Sequence, residues 1–517
     1  MEMSEIHQLA VTIVEYSVLL FTFLLGVGVL AVIVMYLVDI TQTSQTIRRN
    51  YPVVGRFRYL FEHLGEFFRQ YFFAMDREEL PFNRAERSWV YRAAKQVDTT
   101  IAFGSTRPLD HEGDVIFLNS AFPTLDEDAV EPRPVTIGEG SCITPYTTSS
   151  ILNISGMSYG AISRPAVLAL SNGAREAGIW MNTGEGGLSP YHLEGGCDIV
   201  FQIGTAKYGV RDDEGHLDDQ KLKAIADHDQ VKMFEIKMSQ GAKPGKGGIL
   251  PGEKVTKEIA GIRHIGVGQD SISPNGHVDV RSVSDLLDMV ERVRRVTGKP
   301  TGFKTVVGQL GFFHELFQEI HRRGIGAAPD FITIDSADGG TGAAPEALID
   351  YMGMPLRESL PIVVDMLYEY GLRDRIKVIA SGKLINPGKV AWALGVGADF
   401  CVSARGFMFA LGCIQALQCN KNTCPTGITT HNKDLQKGLV PEDKCKRVAA
   451  YAKRVAYGVG IIAHSCGVPE PRGLQRQHMR VIESSDKSHG MLELDPIPPV
   501  REEYTRGLTS DTSAAQQ

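Results

Sequence analysis

Between about residues 150 and 425, short apolar runs alternate with segments of helical period, and Gly-rich polar clusters follow nearly every run. Strand readings fall on Ile151–Met157, Met233–Lys237, Gly302–Val307, Phe331–Asp335, Ile376–Ala380 and Phe400–Val402. Helix readings fall on Ser163–Ala177, Ser282–Val296, Glu346–Tyr370, Pro387–Leu394 and, beyond them, 441–463. Strands that alternate with helices build parallel βαβ units. The length suits a (β/α)8 barrel of ~250 residues with insertions. A doubly wound sheet is the other candidate. The barrel is preferred because it brings all the polar clusters to one catalytic face. Glycine, at 54 of 517 residues, fits a chain with many tight turns and close backbone approaches.

A second feature precedes the barrel. Tyr16–Val38 runs for 23 residues without a charge. A spanning helix needs ~20 apolar residues. A signal peptide wants a basic start and a shorter apolar core, whereas Glu2, Glu5 and Glu15 precede this run and no Lys or Arg occurs before Arg48. A transmembrane anchor is expected, in preference to a signal peptide or a buried core helix. Arg48, Arg49, Arg56 and Arg58 follow the run, so the positive-inside rule puts the body in the cytoplasm of a single-pass cell-membrane protein. The aromatic stretch Tyr51–Phe73 reads either as an amphipathic helix on the membrane surface or as a helix packed on the main body.

The expected organisation is an anchor over 1–45, with its span at about 16–38, and a juxtamembrane lead-in over 46–140. The barrel takes 141–430, a helical extension 431–482, and a flexible polar tail 483–517. A net charge of −7 gives no basic surplus, so nucleic acid is not an expected partner.

Three clusters carry chemistry. Cys413, Cys419 and Cys424-Pro425 place three thiols within twelve positions, a spacing that suits an iron–sulfur centre, with three ligands favouring [3Fe–4S]. Buried structural cysteines are one alternative. Zinc with His431 as a fourth ligand is another. The Gly-rich turns Ser381-Gly382-Lys383 and Ser403-Ala404-Arg405-Gly406 follow the last two strands, where free N–H groups can hold a phosphate. Lys237, Gln240, Lys243, Lys246 and Arg263 surround a Gly-rich loop and can bind carboxylates, or else form a solvated loop.

Five motifs occur in one order: Met157-Ser-Tyr-Gly-Ala-Ile-Ser163, Thr183-Gly-Glu-Gly-Gly187, Lys237-x2-Gln-Gly-Ala-Lys-Pro-Gly245, Asp338-Gly-Gly-Thr-Gly-Ala343 and the three cysteines. Together they resemble the FMN-binding synthase domain of glutamate synthase over about 150–430. The resemblance implies FMN at the C-terminal face of the barrel, its ring beside Met157, Ser158 and Gly186, with Lys304 at its polar edge. It implies a phosphate site on Gly339, Gly340, Ser381, Gly382, Ala404 and Arg405, and a [3Fe–4S] cluster on Cys413, Cys419 and Cys424. The implied substrate is 2-oxoglutarate, held by Lys237, Lys243 and Arg263, with Glu185 at the ammonia entrance. The implied reaction is reductive amination to L-glutamate.

Two departures shape the expectation. No N-terminal cysteine nucleophile is present, so ammonia is expected from the free pool or from a separate glutaminase partner. Ile249 stands where the family usually carries Gln, which opens the door to another 2-oxo or amino acid, as in an N-methylglutamate synthase subunit. A non-catalytic electron-transfer subunit is a third reading, opposed by the retained basic residues. Gly26-Val-Gly28 lies inside the apolar run and is no dinucleotide fingerprint, so the electron donor is expected to be external, a ferredoxin or a reductase.

Overall fold

The computed structural model describes residues 3–508 and divides into two compact units, Met1–Ala85 and Glu86–Gln517. In the first unit one helix runs over Met3–Thr41. Its His7–Thr41 portion, with a mean hydropathy of 2.9, is long and apolar enough to cross a membrane. Short helices follow at Thr46–Asn50 and Gly55–Phe68, the latter continued by a wider turn over Arg69–Phe73.

The second unit is built on a closed barrel of eight parallel strands. They are Leu152–Ile154, Met181–Asn182, Ile199–Ile203, Val231–Lys237, Thr301–Val306, Phe331–Asp335, Lys377–Ser381 and Phe400–Ser403. They pair in chain order, and the eighth closes on the first through Cys401, Val402 and Ser403 against Leu152, Asn153 and Ile154. Helices cover the outside, so most strands are buried on both faces and read as nearly continuous apolar runs.

The second and third strands escape the sequence reading. Met181–Asn182 is too short to show a period, and Ile199-Val-Phe-Gln-Ile203 is an apolar run that pattern alone cannot tell from a buried helix. The helix expected over Glu346–Tyr370 is two helices, Glu346–Ile349 and Leu356–Glu369. Gly353, at φ +86°, and Pro355 break it.

An antiparallel hairpin, Val135–Ile137 against Tyr146–Thr148, precedes the barrel. It delivers Ile137 and Tyr146 to a buried cluster with Trp180, Phe331 and Phe400, which stand at or just before strand starts. Tyr146 meets Trp180 edge-on at 6.2 Å, and Trp180 meets Phe400 at 5.0 Å. Burial of each such side chain contributes about 1.5–3 kcal/mol. The hairpin therefore plugs the N-terminal end of the barrel and leaves the strand C-termini for chemistry.

The long helix Pro441–Ser465 lies against Arg164–Ala177. A Cβ on Gly173 would sit 2.5 Å from Val448 Cβ, so only glycine allows this approach. Part of the stretch expected as a flexible tail is ordered. Met479–Ser484 and Lys487–Gly490 form a hairpin, and its first strand pairs with Val115–Phe117. Residues 509–517 of that expected tail lie outside the described residues.

Candidate functional site

A cleft opens at the C-terminal end of the barrel. Its walls come from the loops after the first, second, fourth, sixth and eighth strands and from the cysteine segment.

The turn after the second strand carries Glu185. Gly184, at φ +65°, packs so closely that a Cβ would lie 2.5 Å from the backbone nitrogen of Ser158. Asn182 fixes this turn from below. Its Oδ1 accepts from Gly184 N–H at 2.9 Å, and its Nδ2 donates to Glu235 Oε2 at 2.9 Å. Gln202 Nε2 donates to the other Glu235 oxygen at 3.4 Å. Burial pushes the Glu235 carboxyl above its ordinary range.

The fourth strand ends in Lys237, whose Nζ lies 3.0 Å from Glu185 Oε1 and also contacts Gln240 Oε1. Burial alone would raise the Glu185 carboxyl. Lys237, Lys243 and Arg263 outweigh it and hold the group below its usual value. Lys243 is 7% exposed, and no acceptor among the described residues takes its ammonium. Burial lowers its pKa, against the pull of Glu185.

Arg263 enters from the end of the helix Lys257–Arg263, which Thr256 caps and His264 ends at φ +54°. It is 4% exposed. Its Nη1 donates to Ser271 Oγ at 3.1 Å and its Nη2 to the Tyr159 carbonyl at 3.2 Å, with Tyr208 stacked beneath at 5.1 Å. Lys237, Gln240, Lys243 and Arg263 thus share the cleft. Lys246 does not: it is exposed on the outer side of its loop. Ile249 lines the cleft on a two-residue strand, Ile249–Leu250, paired with Ser271–Ile272.

On the opposite side, the loops after the sixth, seventh and eighth strands are tied together. Asp335 Oδ1 accepts from Ser381 Oγ at 2.6 Å, and its Oδ2 accepts from Gly241 N–H at 2.9 Å. Lys304 Nζ lies 3.3 Å from the same Oδ2, behind the cleft wall. Lys383 pairs with Asp338 at 2.9 Å, and Arg405 Nη2 donates to the Thr341 carbonyl at 2.7 Å. Gly340, Thr341, Gly342, Ala404 and Arg405 face the cleft, while Gly339, Ser381 and Gly382 stand behind them. Among the described residues no acceptor takes the N–H of Gly340, Thr341 or Gly342. Open amides beside an arginine form a cradle for an anion.

Met157 and Ser158 line the floor, and Gly186 lies against Ser158 and Arg263. A Cβ on Gly186 would sit 2.8 Å from Ser158 Cβ. Cys413 and Cys424 are buried, and Cys419 is half-buried on the cleft wall. Burial pushes the Cys413 thiol up to about 11, with smaller upward contributions from Cys419 and Cys424. Among the described residues no three His, Cys, Asp or Glu side chains stand close enough to hold a metal ion. His431 Nε2 lies 2.8 Å from the Gly160 carbonyl.

Sequence reasoning missed Asn182, Gln202, Glu235 and Lys254. Lys254 is 2% exposed and donates to the carbonyls of Cys419 at 2.8 Å and Thr429 at 2.6 Å, fastening the cysteine segment to the barrel loop. None of the four lies in a motif. The only available signal was polar residues inside or just after a strand run.

Residues 110–469 match the family described as the conserved region in glutamate synthase. The glutamate synthase large subunit-like protein YerD of Bacillus subtilis is 39% identical over 501 residues, covering 89% of this chain and 95% of its own length. The archaeal-type glutamate synthase [NADPH] of Thermotoga maritima is 35% identical over 60% of this chain, and the match spans 58% of that longer protein. Among solved structures, a mandelate oxidase variant aligns over 71% of this chain and 88% of its own, with a TM-score of 0.42 and 14% identity.

Proposed function

This chain belongs to the glutamate synthase family, and from that premise we propose that its barrel reductively aminates 2-oxoglutarate with ammonia to L-glutamate, using FMN and an iron–sulfur cluster. The observation that carries this reading is Lys243, a buried ammonium with no acceptor among the described residues, in a cleft it shares with Lys237, Glu185 and Arg263. A buried charge normally finds a partner. A carboxylate of the substrate supplies it.

The cleft also fits the cofactor. The open amides of Gly340, Thr341 and Gly342 beside Arg405 suit a phosphate at the edge of the cleft. In this reading Met157, Ser158 and Gly186 hold the ring and Lys304 serves its polar edge. Gly340, Ala404 and Arg405 hold the phosphate, with Gly339, Ser381 and Gly382 supporting them from behind. FMN held there would supply the hydride chemistry of the reduction.

The protein's own groups do the rest. Lys243 and Arg263 fix the acid groups, so that the carbon is presented in one orientation. Glu185, ionised at rest, attracts an incoming ammonium and takes up the proton it sheds. Ammonia then condenses with the 2-oxo group and expels water. Lys237, held between Glu185 and Gln240, returns a proton to the nitrogen. Two electrons and two protons balance the conversion of oxo acid and ammonia to amino acid and water.

Cys413, Cys419 and Cys424 are proposed to hold a [3Fe–4S] cluster, thiolate being the donor such clusters use. It would take electrons from an external ferredoxin or reductase. The ammonia source is the free pool or a separate glutaminase. The helix His7–Thr41 is proposed as a single-pass anchor in the cell membrane, with Arg48, Arg49, Arg56 and Arg58 on the cytoplasmic side together with the barrel.

One observation favours a second reading. Ile249, with Leu250 and Pro251, makes an apolar strip on the cleft wall. An apolar side chain gives a distal carboxylate no hydrogen bond, so a different 2-oxo or amino acid is the alternative substrate. Single-turnover amination separates the two. Chemically reduced protein mixed with 15N-ammonium and 2-oxoglutarate should yield labelled glutamate by mass spectrometry. Labelled product from another oxo acid alone would establish the second reading.

A further inference from the structure

The aromatic segment after the N-terminal helix has a fixed place. Asp39, at the end of the apolar run, is fully buried. It accepts from Val53 N–H at 3.0 Å and from Arg56 Nε at 2.9 Å and Nη2 at 2.8 Å, and Arg48 stands 3.3 Å away. Gly55 packs so closely on the preceding turn that a Cβ would lie 2.8 Å from the Ile47 carbonyl. The helix beginning at Gly55 is therefore pinned to the level of Asp39. It does not run back along the apolar helix, because the side chains of that helix, from Leu9 to Val38, are broadly exposed.

From this anchor point the segment presents Phe57, Phe61, Phe68 and Phe72 at helical spacing, one above another on a single face. Phe61 is 64% exposed and Phe72 is 73% exposed. Phe57 stacks with Phe61 at 6.5 Å, and Phe68 meets Phe72 at 5.4 Å, so the rings form two pairs along one face. Residues 46–73 carry five arginines against two glutamates, a net of plus three. Arg48 and Arg56 are spent on Asp39, and Arg58 pairs with Glu62 at 3.0 Å. Arg49 and Arg69 remain exposed.

We propose that this aromatic face lies in the headgroup layer of the anionic bilayer that holds the N-terminal helix, giving the chain a second, in-plane membrane contact. The proposal rests on the reading of His7–Thr41 as a span. Three things point to lipid as the occupant. The segment starts at the membrane boundary, rings of this kind settle at the headgroup level, and the arginines match anionic lipid.

The test uses the full chain reconstituted into vesicles of phosphatidylcholine and phosphatidylglycerol. Phe61→Trp adds an indole to this face, and brominated phosphatidylcholine reads its contact with lipid. The emission added over the parent protein should be blue-shifted and strongly quenched by the bromines. Added emission at the wavelength of a water-exposed indole, or blue-shifted but unquenched as under a second copy of the chain, would overturn the proposal. An alkaline wash separates this from failure of the span itself. Protein that stays in the vesicles while its added indole is unquenched rejects only the in-plane contact. Protein released by the wash rejects the span and the contact together.

Discussion

Lys237 and Glu185 meet at the mouth of the barrel, Nζ 3.0 Å from Oε1, although they come from the ends of different strands, the fourth and the second. Both are largely buried, at 11% and 17% side-chain exposure. Removing one partner strips a buried charge of its nearest counter-ion, which costs up to about 3–5 kcal/mol, less what Lys243 and Arg263 still offset at Glu185. Lys237→Met is therefore expected to lower stability by about that amount and to abolish turnover. Lys237→Met with Glu185→Leu should recover much of the stability and none of the activity. A double-mutant cycle by chemical denaturation checks this, and additive losses would show that the pair is not coupled.

The same carboxyl sets a pH dependence. The folded pKa of Glu185 lies below its unfolded value of 4.5. Its contribution is thus fully present above pH 4.5 and is lost as pH falls below that value. The stability difference between the parent protein and Glu185→Gln should shrink on acidification through this range. A difference that grows would reverse the sign.

His192 behaves oppositely in chemistry and alike in direction. It is fully buried, and burial lowers its pKa from 6.5 to about 4. The folded state then binds fewer protons than the unfolded state between those values, so stability falls as pH drops from 6.5 towards 4, by at most about 3 kcal/mol. Its Nδ1 lies 3.1 Å from Ser189 N–H. Replacing it with Gln should flatten the melting temperature over that window.

Arg263→Ala should reduce kcat/KM for the oxo acid by a factor on the order of 10² or more, because a desolvated charge contact to the substrate is lost. Arg263→Lys should not restore it. The two nitrogens that reach Ser271 and Tyr159 need the planar fork. Unchanged kinetics in either variant would remove Arg263 from the acid site.

Much of this architecture was legible in the chain. Strands such as Phe331–Asp335 and Val231–Lys237 announce themselves as apolar runs, and Ser163 and Ser282 mark helix starts as N-caps. The ordered motifs led to Glu185, Lys237 and Lys243, and the basic cluster to Arg263; the four share one cleft. The hidden parts depend on contacts distant in sequence. Glu235 gains its meaning from Asn182 and Gln202, 53 and 33 positions earlier, and Lys254 from Cys419 and Thr429, 165 and 175 positions later. Lys246 shows the converse. Its position in the basic motif suggested a ligand, and the loop turns it outward.

The cysteine segment makes its own prediction. Purified protein should carry iron, and Cys419→Ser should lose both the iron and the associated visible absorbance. An unchanged iron content and spectrum would remove Cys419 as a ligand.

The most direct measurement is anaerobic stopped-flow of the reduced, flavin-loaded protein. Mixing with 2-oxoglutarate and ammonium together should reoxidise the flavin far faster than mixing with either alone. Reoxidation that no combination of oxo acid and ammonium accelerates would contradict the assignment of the barrel as an aminating synthase.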